Sequence, residues 1–99
     1  MPRHLFVYIL ASTRRDLYTG ATANLARRLE QHRSDEVEKS YTARKQIHRL
    51  VYFERISPPS RAMARERQIK GWTRRKRIEL IESVDPDWRD LSLTEWLDR

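Results

Sequence analysis

A chain of 99 residues that is 38% apolar and 35% charged has room for one domain with a lean core and an ionic surface. It contains no cysteine, which excludes disulfides, thiolate metal sites and a cysteine nucleophile. No apolar run is long enough for a signal peptide or a membrane span, so a soluble cytoplasmic protein is expected.

Residues 4–12 place Leu5, Val7, Ile9 and Ala11 on one face and Phe6, Tyr8 and Leu10 on the other. Being apolar on both faces, they predict a central strand covered from both sides. Ser12–Asp16 reads as a turn and residues 17–21 as a second strand, so residues 5–21 form a hairpin. Each strand carries a tyrosine, Tyr8 and Tyr18, and the second ends in Gly20, one of only two glycines. A sheet core alone would accept Phe or Val at the tyrosine positions. A helical pattern without breakers covers Asn24–Arg33, followed by a polar, basic stretch over residues 34–48. A loop of that length inside a compact domain is often functional or locally ordered.

"LVYFE" (50–54) is rich in β-formers and predicts a third strand. Ser57-Pro58-Pro59-Ser60 stops it, with Ser60 as a natural N-cap for a helix over 61–71. Gly71 and Thr73 break or bend the chain before a helix over 74–84, which Asp85-Pro86 ends. Ser92 and Glu95 form a capping-box pattern for a last short helix carrying Leu93, Trp96 and Leu97. The order β-β-α-β-α-α plus a tail helix predicts an α+β fold, a three-stranded antiparallel sheet flanked by helices. Residues 1–84 form its body and residues 85–99 an acidic tail packing on it.

The net charge of +7 is unevenly spread, with seven acids against Arg89 and Arg99 from Glu79 onward, so residues 1–78 carry +12. Residues 61–77 hold eight Arg or Lys against one acid, Glu66. Such clustering is the electrostatic footprint of a polyanion partner, most often nucleic acid. The alternative is a solvated basic face partly neutralised by the tail. The candidate phosphate contacts are Arg65, Arg67, Lys70, Arg74, Arg75 and Lys76, with Arg44 and Lys45 from the long loop beside Tyr41 and Thr42. Trp72, Trp88 and Trp96 read as packing residues, and His4 and His48 as ordinary surface residues.

Polar residues fall on apolar helix faces. A step of about 100° per residue puts Arg28 and His32 beside Leu25 and Leu29 and turns Arg27 to water. The same step puts Glu66 among Ala62, Ile69 and Met63. Burying such groups without partners is costly. One reading pairs Arg28 with Glu66 as a structural ion pair, with His32 capping its helix. The other brings Tyr8, Tyr18, Arg28, His32 and Glu66 together as a kit for phosphodiester hydrolysis. In that kit Glu66 holds one Mg²⁺, a hard ion that keeps several waters. Arg28 stabilises phosphoryl charge, and a phenol or histidine handles the proton.

These residues resemble the GIY-YIG nuclease superfamily, in particular small single-domain bacterial proteins similar to the N-terminal nuclease domain of excinuclease C. "VYI" (7–9) stands for the first motif and "YTG" (18–20) for the second. "NLARRLEQH" (24–32) resembles the helix with the family's arginine, and "AMARERQIKGW" (62–72) the helix with its metal-binding glutamate. The resemblance implies a divalent-metal-dependent endonuclease acting on DNA, in repair or processing, with RNA left open. It makes Tyr8 the candidate base, Tyr18 its hydrogen-bonding neighbour, Arg28 the phosphate clamp and His32 an auxiliary contact. Glu66 becomes the Mg²⁺ or Mn²⁺ ligand, and Gly20 lets the backbone pass close to the next helix. Three positions depart from the pattern: Phe6 replaces the first motif's glycine, Ala21 stands where some members place a lysine, and a late asparagine has no match. They keep a second expectation open, a DNA-binding module of the same fold that cleaves weakly or not at all.

Overall fold

The computed structural model describes residues 1–33 and 46–93. Strand β1 (Leu5–Ala11) is the middle of a three-stranded antiparallel sheet, between β2 (Leu17–Thr22) and β3 (Arg49–Ile56). Helix α1 (Leu25–Arg33) follows β2, and α2 (Pro59–Lys70) and α3 (Arg74–Glu82) follow β3. The sheet matches the predicted α+β class, and β3 extends beyond its predicted apolar stretch at both ends.

The double-sided pattern of β1 builds two cores. Val7, Ile9 and Ala11 pack with Ala62 and Ile69 of α2 and Ile81 of α3. Tyr8 and Leu10 pack on the opposite side with Leu25 and Leu29 of α1. Val7 through Ala11 are all fully buried, and each large apolar side chain so placed contributes about 1.5–3 kcal/mol. In β3 the register steps from Ile9–Tyr52 to Leu10–Leu50, so Val51 is the extra residue of a bulge. That bulge lets adjacent Val51 and Tyr52 join one core while Leu50 joins the other. Ile47 is also fully buried, beside Leu10 and Leu50, inside a stretch that reads as polar loop.

Local chemistry sets the element ends. The Ser12 hydroxyl accepts from the Arg14 and Asp16 amides at 3.1 and 3.0 Å, closing the hairpin turn. Asn24 Oδ1 accepts from the Arg27 amide at 3.1 Å and caps α1. Helix α2 begins two residues before the predicted start, with Pro58 as its N-cap. Pro59 suits the first turn because the amide it lacks would have had no helical partner. Ser60 is therefore a residue of the helix and not its cap. Thr73 caps α3, its hydroxyl accepting from the Lys76 amide at 3.2 Å, so the chain breaks between the two helices as predicted.

After α3, Trp88 buries itself in the first core and donates from Nε1 to Glu82 at 2.8 Å. Ser92, the predicted start of the tail helix, lies inside a 3-10 turn, Leu91–Leu93. Its amide and hydroxyl both go to Asp90 Oδ1, while its hydroxyl also accepts from Arg33 at 2.8 Å. Arg33, the last residue of α1, further donates to the His48 carbonyl at 2.8 Å and to Asp90 at 3.2 Å. These bonds tie α1, the start of β3 and the chain after α3 to one another. Glu95, Trp96 and Leu97 of the predicted tail helix lie outside the described residues, as do Tyr41, Thr42, Arg44 and Lys45.

Candidate active site

Tyr8 and Gly20 are cross-strand partners in the β1–β2 ladder. A Cβ on Gly20 would lie 2.6 Å from the Tyr8 hydroxyl, 2.8 Å from its Cζ and 3.1 Å from Cε1 of Tyr18. The phenols, and not a neighbouring helix, are what demand glycine here. With the space over Gly20 taken by its ring, Tyr8 reaches α1, and its hydroxyl lies 3.3 Å from His32 Nε2. The Tyr18 ring sits edge-on to His32, with centroids 5.1 Å apart. Tyr18 is half-buried, whereas Tyr8 is 0% and His32 7% exposed.

One turn before His32, Arg28 is half-buried and Arg27 exposed, as the helix periodicity predicts. The Arg28 charge acts on both the Tyr8 phenol and the His32 imidazole. Glu66 is buried on α2, and its charge also reaches Tyr8. The carboxylate pairs with Lys70 at 3.1 Å, and no Arg28–Glu66 ion pair forms among the described residues. Tyr18 and His32 thus lie against the buried Tyr8 phenol, and the charges of Arg28 and Glu66 reach it.

Burial raises the Tyr8 pKa well above the usual phenol value, helped by Tyr18 and by the charge of Glu66 and opposed by Arg28. The phenol is neutral at pH 7. Burial also lowers the His32 pKa below the ordinary imidazole value, and the charges of Arg28 and His48 push it the same way. His48 is therefore part of this electrostatic environment, a role its surface-like sequence context gives no sign of. A buried, neutral phenol and a buried, neutral imidazole in contact form a pair that can exchange a proton.

The donor set bears on the metal. Among the described residues no three His, Asp or Glu side chains converge on one point. A closed cage of protein ligands is not built here. A single buried carboxylate suits Mg²⁺ or Mn²⁺, of which Mg²⁺ in particular keeps most of its waters and takes one or two carboxylates.

The basic residues divide. Arg67, Lys70, Arg74, Arg75 and Lys76 are exposed on α2 and α3, and the Lys76 ammonium lies 4.5 Å from the centre of the Trp72 ring. Arg65 is turned inward. Its guanidinium donates to Glu54 through Nη2 at 2.9 Å and Nε at 3.2 Å, and to Gln68 at 2.8 Å. The Tyr52 hydroxyl donates to the same Glu54 carboxylate. Hydrogen bonding to Glu54 holds Arg65 more firmly protonated than usual. Arg65 is thus tied to β3 through Glu54, unlike the other basic residues of these helices. The one sequence signal was Glu54 itself, an acid directly after the apolar run of β3.

A phenol over a strand glycine touches a histidine and feels the charges of an arginine one helical turn before it and of a buried glutamate on another helix. Residues 4–79 match the family model described as the GIY-YIG catalytic domain. The chain belongs to the GIY-YIG family. It is similar to a UPF0213 protein of Syntrophus aciditrophicus, 36% identical over 77 residues that span 78% of this chain and 88% of that one. A UPF0213 protein of Haloquadratum walsbyi is 39% identical over 77 residues, 78% of this chain and 85% of that protein. The solution structure of a UPF0213 protein from Bacillus halodurans superposes with a TM-score of 0.57 at 27% identity, over 93% of this chain and 97% of that one. The GIY-YIG match runs from the residue before β1 into α3, so every residue of the candidate site lies within it. No helix among the described residues is long and apolar enough to cross a membrane.

Proposed function

We propose that this GIY-YIG protein is a divalent-metal-dependent endonuclease that hydrolyses DNA phosphodiester bonds, as in DNA repair or processing. The observation that carries the reading is the contact of the Tyr8 hydroxyl with His32 Nε2, under the charges of Arg28 and Glu66. Tyr8 alone is a poor base, because burial favours its neutral form. The base is instead the Tyr8–His32 pair. As water attacks phosphorus and the P–O ester bond breaks, the water proton passes to the Tyr8 oxygen. The proton of Tyr8 moves to His32 Nε2. The leaving alkoxide takes a proton from solvent, and His32 returns its own to Tyr8 or to water.

Arg28 binds the phosphate and stabilises its added charge. A bound phosphate also offsets the positive field that Arg28 exerts on His32, which restores the basicity of the imidazole as substrate arrives. Tyr18, the more exposed phenol, donates to the attacking water or to a phosphate oxygen. Glu66 holds Mg²⁺ or Mn²⁺, which when bound supplies Lewis-acid stabilisation of the phosphoryl oxygens. Arg67, Lys70, Arg74, Arg75 and Lys76 track the DNA backbone.

The complete burial of Tyr8 favours a second reading, a DNA-binding module with little catalysis. Labelled branched and linear DNAs incubated with Mg²⁺, Mn²⁺ or EDTA separate the two. Cleavage that EDTA abolishes and that falls in Tyr8→Phe supports the nuclease. Retention of DNA without any metal-dependent product supports the binding module.

A further inference from the structure

We propose that Lys70 is a built-in competitor for the divalent cation at Glu66, displaced when the metal binds and then freed for a DNA phosphate. The inference rests on the reading of Glu66 as the metal ligand. Its side chain is 11% exposed, and the Lys70 ammonium sits 3.1 Å from Oε2. A metal ion and an ammonium seek the same carboxylate lone pairs. A dication on the other oxygen would still face the ammonium at close range. Metal entry therefore requires Lys70 to leave.

The structure gives Lys70 the means to leave. It is the last residue of α2, its side chain is 51% exposed, and its four-carbon stem is flexible. Exposed Arg67 lies three residues before it on the same helix, and Arg74 begins the next. An ammonium swung off Glu66 thus joins a field of cations that already favours phosphate. The two events are linked, and linkage is reciprocal: metal strengthens the DNA contact and DNA strengthens metal binding.

The test uses the full chain as wild type, Lys70→Met and Glu66→Gln, with melting curves confirming that each variant folds. Free Mn²⁺ is measured by electron paramagnetic resonance in the absence of DNA. Lys70→Met is expected to bind Mn²⁺ roughly fivefold more tightly than wild type, the upper range for releasing a partly exposed ion pair. Glu66→Gln is expected to lose the site. Anisotropy of a labelled, uncleavable phosphorothioate duplex is then followed with Mn²⁺ at fixed ionic strength. Mn²⁺ should strengthen DNA binding of the wild type more than that of Lys70→Met.

Equal or weaker Mn²⁺ binding by Lys70→Met, with binding lost in Glu66→Gln, overturns the role of Lys70 and leaves Glu66 as the ligand. An equal Mn²⁺ effect on DNA binding in both proteins also overturns the coupling. Wild-type Mn²⁺ binding by Glu66→Gln refutes the assignment of Glu66 and the inference with it.

Discussion

Replacing Gly20 with alanine tests the centre of the site with a single methyl group. Its backbone lies outside the left-handed region, so an alanine is not strained by conformation alone. At such a position Gly→Ala ordinarily stabilises a protein by about 0.4–1 kcal/mol, because it restricts the unfolded chain. Here the added carbon would lie 2.6 Å from the Tyr8 hydroxyl and 2.8 Å from Cζ. Both are well inside van der Waals contact. Tyr8 is fully buried, so its ring moves only by displacing neighbours. Overpacking of this kind costs about 1–3 kcal/mol. For a domain of this size, that lowers the melting temperature by about 4 °C or more. Displacing the ring also breaks the contact with His32, so cleavage should fall much further than stability. Thermal unfolding and single-turnover cleavage on saturating protein read the two effects separately. The double variant Gly20→Ala with Tyr8→Leu should recover part of the stability and none of the activity. A Gly20→Ala protein that melts at or above the wild-type temperature and cuts normally would mean that the phenol does not lie over the glycine.

Arg28→Ala should slow the chemical step by about 10²–10³-fold, the usual loss for one donor on developing charge. Arg27→Ala, exposed on the same helix, should at most weaken binding slightly, and equal effects would show that the helix is rotated from its assigned face. The His32 ring should titrate below the ordinary imidazole value by NMR, and Arg28→Gln should move it upward by removing a cation that opposes protonation. Because the unfolded chain binds this proton more readily, His32 contributes stability above its unfolded pKa. That contribution is lost as pH falls through the depressed folded value. Urea midpoints between pH 7 and 5 for wild type and His32→Gln check that sign, and a steeper decline in the variant would refute it. Arg65→Gln should lower stability by about 1–3 kcal/mol, through loss of charge-assisted hydrogen bonds to a part-buried carboxylate, with little change in DNA affinity. Arg74→Gln should do the reverse, reducing affinity and flattening its salt dependence.

The parts legible in sequence were those governed by period. Two-residue alternation in β1 gave a buried central strand, and the helical step separated Arg28 from Arg27 and put Glu66 on an apolar stripe. Period assigns a face, however, and says nothing of what is opposite. The Arg33–Asp90 and Arg65–Glu54 contacts join residues 57 and 11 positions apart, separations that no period reaches. Ser60 misled for a related reason: N-cap preference is a local tendency, and the two prolines before it fixed the helix start first. Ile47 was hidden because one apolar residue in a polar stretch carries no period.

The basic segment makes the same limit chemical. Sequence counts its charges alike, yet Arg65 is bound to Glu54, Lys70 to Glu66 and Lys76 stacked on Trp72, while Arg67 and Arg74 are exposed. What separates these fates is the element packed beside each one. Arg65 faces β3 at Glu54, an acid inside that strand. Lys70 follows a buried carboxylate by one helical turn, where an ion pair forms within the helix and needs no partner from outside. A cation held by a part-buried carboxylate through several hydrogen bonds stays with it when DNA arrives, because breaking those bonds leaves a charge without its partner. A half-exposed ammonium with one contact does not. The two glutamates therefore give two cations of α2 different fates, a fixed structural arginine and a movable lysine, and on the proposal above only the second answers both metal and phosphate.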